Sequence, residues 1–159
     1  MKKFLKVLIV IIAVAVLGGF VMLKTLDVEK EAMTSEEFKA FMEDKGFQVI
    51  DATSQLEGQN PALEKVYIAM KDDYQIEFFE LSDVEITKQV YAGNVNTAKA
   101  TAGSSRVTTN VDMNNYNKYS LQSDGQYTYI SRIDSTMIFI RESETHKDTI
   151  KTLMKEIGY

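Results

Sequence analysis

At 159 residues with no cysteine and a single histidine, the chain has material for about one compact domain and cannot build a disulfide scaffold, a thiol nucleophile or a cysteine zinc site. Its 23 Asp and Glu stand against 18 Lys and Arg, a formal net charge of −5, which excludes the basic surface that nucleic acid requires.

The first element is Val7 to Leu23, 17 residues without a charge, extended by Phe4 and Leu5 on the far side of Lys6. At about 1.5 Å rise per residue, residues 4–23 make roughly 30 Å of helix, enough to cross the hydrocarbon of a membrane with Lys6 snorkelling. Ile, Val and Leu fall on every side of that helix, which is not the pattern of a half-buried helix in a soluble domain. A secretory signal is the competing reading: Lys2, Lys3 and Lys6 form a positive flank and Ala13-Val14-Ala15 has the small-x-small form of a cleavage site. Cutting there would leave Val16, Leu17, Phe20, Val21 and Leu23 on the mature amino end, so an uncleaved anchor over residues 1–24 is the expectation and secretion after cleavage the alternative. The basic flank keeps the amino end cytoplasmic and sends the remainder outside. That remainder holds all 23 acids against 15 Lys and Arg, a balance of −8.

Residues 25–33 are charged and read as a stalk, and an extracytoplasmic domain is expected over 34–159. Thr34-Ser35-Glu36-Glu37 is a capping box, followed by Phe38, Phe41 and Met42 at helical spacing and by Gly46 as a stop, so the spacing predicts a helix over 35–45. Phe47 to Ile50 reads as a strand and Gln55 to Ala62, with Gly58 and Asn60-Pro61, as loop. Lys65 to Lys71 and Tyr74 to Glu80 flank Asp72-Asp73 as a hairpin. Ser82 or Asp83 can cap a second helix carrying Val84, Thr87, Tyr91, Val95 and Ala98. The Ala100 to Asn117 stretch loses periodicity, and its Ala, Thr, Ser, Gly and Asn predict a long mobile loop, the expected place for a partner to bind. Tyr119 to Gln122, Gln126 to Arg132 and Thr136 to Ile140 fit a meander, and Glu144 to Ile157 closes the chain as an amphipathic helix. FKAFMEDKGF at 38–47 and IKTLMKEIGY at 150–159 echo one another, as two helices with the same kind of cap would.

The order YQIEFFELSD, NNYNKYSL, SRIDSTMIF and a closing LMKEIGY resembles small uncharacterised membrane-anchored proteins and lipoproteins of Gram-positive bacteria. The resemblance implies an exported α+β domain and supplies no activity. The chain lacks the lipid-accepting Cys of the lipoproteins, so the amino-terminal helix would itself be the anchor.

No catalytic constellation emerges. His146 has no second His or any Cys to share a metal, and G-x-S-x-G, S-x-x-K and the P-loop are missing. Asp72, Asp73, Glu77 and Glu80 cluster in sequence, but strand alternation sets Glu77 opposite Ile76 and Phe78, where a solvated strand edge is the plain reading. Asp112-Met113-Asn114-Asn115 lacks the glycine and terminal Glu of a calcium loop. Arg132, one of three arginines, falls near Tyr127 and Tyr129 in a meander strand, and with Tyr91 these could line a contact for a carboxylate or planar group, although a salt bridge to Asp134 or Glu142 is the simpler expectation. The sequence therefore predicts an α+β domain, an antiparallel sheet of about five or six strands with helices packed on one face, behind an amino-terminal transmembrane helix. Its expected role is binding, with the membrane contacted through residues 4–23, an envelope protein or peptide as partner, no nucleic acid and no cofactor. The alternatives are a sensory or inhibitory accessory of an envelope enzyme and, last, a carboxylate-dependent hydrolase.

Overall fold

The computed structural model describes residues 29–159; the expected transmembrane helix over 4–23 and the first four stalk residues, 25–28, lie outside the described residues. Helix α1, Ser35–Asp44, starts on the full capping box: the Thr34 side chain accepts from the Glu37 N–H, and the Glu37 carboxylate accepts from the Thr34 N–H. It ends at Gly46, whose φ of 81° releases the chain into β1, Gln48–Asp51. A short helix α2, Thr53–Leu56, follows and runs into the first two residues of the Gln55 to Ala62 segment whose composition reads as loop. The hairpin β2, Leu63–Lys71, and β3, Tyr74–Leu81, turns at Asp72-Asp73, with Asp72 at φ 53° taking the left-handed position that glycine usually fills. Asp83 caps α3, Val84–Thr101, by accepting from the Ile86 N–H, and Gly93 does not interrupt it. Strands β4, Arg106–Asp112, β5, Tyr116–Ser123, β6, Gln126–Ile133, and β7, Thr136–Ser143, form a meander, and a 3-10 turn over Glu144–His146 leads into α4, Lys147–Glu156.

The seven strands make one antiparallel sheet in the order β1-β2-β3-β7-β6-β5-β4. The seventh, absent from the sequence expectation of five or six, is β4. Helix α3 carries the chain from the sheet centre out to β4, and the meander walks back until β7 pairs with β3. That central junction is short: only Glu77 to Glu80 pair with Phe139 to Thr136.

The sheet is covered on both faces, which corrects the expectation of helices on one. Tyr67, Ala69, Ile76, Phe78, Tyr129, Ile138 and Ile140 pack with Phe38 and Met42 of α1 and Ile150, Leu153 and Met154 of α4. The alternate residues Val66, Ile68, Phe79, Leu81, Ile130, Met137 and Phe139 pack with Leu56 of α2 and Val90, Val95 and Ala98 of α3. The physical reason lies in the central strands themselves. Phe78-Phe79 and Met137-Ile138-Phe139-Ile140 are continuous apolar runs, the pattern of strands buried on two sides rather than one.

The first described residues are docked. Lys30 donates its N–H to Asn115 Oδ1 at 3.1 Å, Asn115 Nδ2 returns a bond to Lys30 O at 2.7 Å, and Lys30 Nζ sits 3.8 Å from the centre of the Tyr116 ring. Ala32 and Met33 pack against the core under α1 and α4.

Candidate interaction edge

Strand β4 reads Arg-Val-Thr-Thr-Asn-Val-Asp, and its β-branched Val107, Thr108, Thr109 and Val111 favour an extended backbone although the surrounding composition is that of a loop. This overturns the expectation of a loop across Ala100 to Asn117: the segment holds the last turn of α3, a brief connection, β4 and the β4–β5 turn. Alternation gave no warning because β4 has no covered face. Six of its residues are exposed and only Val111 is half-buried. Val107, 66% exposed, is the most open large apolar side chain among the described residues.

The backbone of β4 has a fixed polarity. Its register against β5 runs without a bulge from Arg106 opposite Ser123 to Asp112 opposite Asn117. The Met113 N–H donates to Tyr116 O at 2.8 Å as the hairpin closes. In an antiparallel ladder the inward pairing alternates, so Val107, Thr109 and Val111 bond to β5 while Arg106, Thr108, Asn110 and Asp112 turn their N–H and C=O groups away from it. Among the described residues no strand lies beyond β4. Natural edges are usually blunted by charged side chains, above all lysine, or by proline, a bulge or brevity; the seven residues of β4 have no lysine, proline or bulge and carry charge only at the two ends. The other edge, β1, is four residues long and ends at Asp51, which is engaged by Lys65 at 3.1 Å. Arg106 and Asp112 mark the two ends of β4; Asp112 also accepts from Asn117 Nδ2.

The four residues singled out from the sequence do not come together. Arg132 is 1% exposed and lies on the α3 face of β6, in phase with Ile130. Its Nη2 donates to Asn114 O at 3.1 Å, and its Nη1 reaches Asn115 O and Asp134 O at 3.4 Å each. The guanidinium thus ties the β4–β5 turn to the β6–β7 turn through main-chain carbonyls; at Asp134 it engages the carbonyl. Burial lowers its pKa, opposed by the nearby carboxylates of Asp134 and Asp112. Tyr91 of α3 shares this side, and burial drives its phenol well above the usual value. Tyr127 and Tyr129 point to the opposite face, their rings 6.4 Å apart among the residues under α1 and α4. The sheet separates the two pairs.

The acidic cluster is also dispersed. Glu77 is 5% exposed in the central strand rather than at a solvated edge, on the face whose apolar residues pack with α2 and α3. Burial pushes its carboxyl up to about 7, with Glu142 adding to the rise and the Gln75 amide, 2.9 Å away, opposing it. Asp73, in the hairpin turn, approaches His146 Nε2 at 3.0 Å, and the imidazole stacks on Tyr74 with centroids 4.7 Å apart. His146 is therefore a packed residue, not a solvated one. A hollow of about 50 Å³ between the end of α3 and β5 to β7, lined in part by Ala98, Thr101, Leu121, Thr128 and Arg141, has room for water only. Among the described residues no three His, Asp or Glu side chains converge as a metal would require, and no helix is long and apolar enough to cross a membrane.

Comparison with protein-family models, curated protein sequences and solved structures finds no match for this chain.

Proposed function

We propose that the chain is an interaction module held at the outer surface of a cell membrane by residues 4–23, with β4 as the edge through which it engages an envelope protein or peptide. The observation that carries the binding half is the seven-residue open edge, whose outward donors and acceptors match what an extended partner strand supplies. The membrane half rests on the charge-free run Val7 to Leu23 and the lysines before it. A hydrolase finds no support, since Glu77 is sealed and Asp73 is engaged by His146 in the hairpin turn.

The test is expression of the full chain in a Gram-positive host. The protein is expected to pellet with membranes, to resist alkaline extraction, and to lose residues 29–159 to protease added outside intact protoplasts. Envelope proteins cross-linked to it should be lost when Thr108→Pro blocks an outward N–H. A protease-protected domain, or a mature form beginning near Val16, would overturn the anchoring. Unchanged cross-linked partners in Thr108→Pro would overturn the edge, and identification of an envelope enzyme among them would select the accessory role.

A further inference from the structure

The order of residues along β4 is complementary to itself when reversed. We infer that the β4 edge pairs with β4 of a second copy, antiparallel about a twofold axis at Thr109, to form a dimer with one continuous sheet. This inference rests on reading β4 as a contact edge and names what first occupies it.

Three independent features select that register. The first is backbone phase. With Thr109 opposite Thr109, Arg106 falls opposite Asp112 and Thr108 opposite Asn110, so the residues that meet in hydrogen-bonded pairs are the four whose N–H and C=O groups point outward. About eight main-chain hydrogen bonds result from that phase. The second is charge: Arg106 of each copy meets Asp112 of the other at both ends of the seam, an opposed pair on one face of an antiparallel ladder. The third is apolar cover. Val107, 66% exposed, comes to lie beside Val111 of the other copy in a non-hydrogen-bonded pair, where side chains approach most closely. Shifting the axis to Thr108 or Asn110 keeps the backbone phase but places both valines opposite threonine or beyond the paired residues, and separates Arg106 from Asp112.

The geometry also suits two anchors in one membrane. An antiparallel in-sheet pairing has its twofold axis normal to the sheet, so α1 and α4 of both copies lie on the same side. Met33 and Lys30 pack on that side in each copy, and both chains enter their domains from it.

Absence of native cysteine makes the test direct. The full chain in detergent micelles, at one protein per micelle or fewer, is measured by sedimentation across a concentration series, and single-cysteine variants are oxidised. The wild-type chain should be dimeric. Thr109→Cys should form a disulfide-linked dimer rapidly, since opposed Cα atoms in a non-hydrogen-bonded pair are about 4.5 Å apart. Val107→Cys alone should not, as the two copies of that residue are roughly 13 Å apart along the seam. Thr108→Pro should weaken association at least about tenfold. Arg106→Asp should weaken it as well, and adding Asp112→Arg should restore it, which guards against a fold defect. A monomeric wild-type chain overturns the inference even if β4 binds an envelope peptide, and so does a dimer in which Thr108→Cys or Asn110→Cys cross-links to itself faster than Thr109→Cys. Absence of any envelope partner cross-linked to the wild-type chain, with the dimer intact, would overturn the proposed function alone.

Discussion

Glu77 occupies a position in the central strand where its neighbours on the same face, Phe79 and Phe139, are apolar. Burial pushes its carboxyl up to about 7 in the folded chain, against an ordinary value of 4.5. Between those values the folded state holds a proton that the unfolded state has released, so stability falls as pH rises from about 4.5 to about 7 and the full penalty persists above that. The penalty is on the order of 3 kcal/mol. Glu77→Gln keeps an acceptor for the Gln75 amide and carries no charge. Chemical denaturation at pH 8 should find the glutamine variant more stable than the wild type by up to about that amount, with the difference shrinking toward pH 5. A variant no more stable at pH 8 would show that the carboxylate is solvated in the fold. At this scale the candidate ligand residues were separable in principle: on β6, Tyr127 and Tyr129 differ in parity from Arg132, and alternation alone sets them on opposite faces. What alternation cannot supply is the partner. That Arg132 would spend itself on the carbonyls of Asn114, Asn115 and Asp134 depends on two turns brought together by the sheet.

Elements whose boundaries are set by local chemistry match their sequence signals closely. The echo between residues 38–47 and 150–159 is one cap used twice. Gly46 and Gly158 have φ of 81° and 84°, and the N–H of the aromatic after each donates to a buried methionine carbonyl, Phe47 to Met42 and Tyr159 to Met154, both at 2.9 Å. A Cβ at Gly158 meets nothing within 4 Å and one at Gly46 meets only Lys71 Nζ at 3.7 Å, so the cost of alanine is conformational. Each Gly→Ala should lower stability by about 1 kcal/mol, read as a shift in denaturation midpoint at unchanged slope. Costs near zero would mean the caps relax out of the left-handed conformation. The capping box at Thr34, the Asp83 cap and the hairpin at Asp72 were legible for the same reason: each is written within a few residues. Strand β4 was not, because exposure on both faces removes the periodicity by which strands are recognised and leaves only its β-branched residues. The second helical layer was missed for a related reason, since whether α3 crosses to the other face is decided by where the long connection from β3 to β4 runs.

Across the whole molecule the two apolar layers share every central strand, so neither can be lost while the other remains. Phe38→Ala under α1 and Val90→Ala under α3 should each move one cooperative transition, with near-ultraviolet and far-ultraviolet dichroism changing together. Phe38→Ala should cost about 3–5 kcal/mol. Dichroism curves that separate in either variant would mean that the layers unfold independently. The route of the chain has a further consequence for how the protein is made. β3 is delivered before residue 82, yet its second neighbour, β7, begins only at Thr136, after α3 and three other strands. Synthesis proceeds from the amino end, so throughout that interval the Phe78-Phe79 edge stands open, and the sheet becomes whole only when the four-residue junction with Met137 and its neighbours forms. A chain interrupted anywhere between those points exposes a sticky apolar strand. The vulnerable period of this protein is thus its own emergence, and it ends with the arrival of its penultimate element.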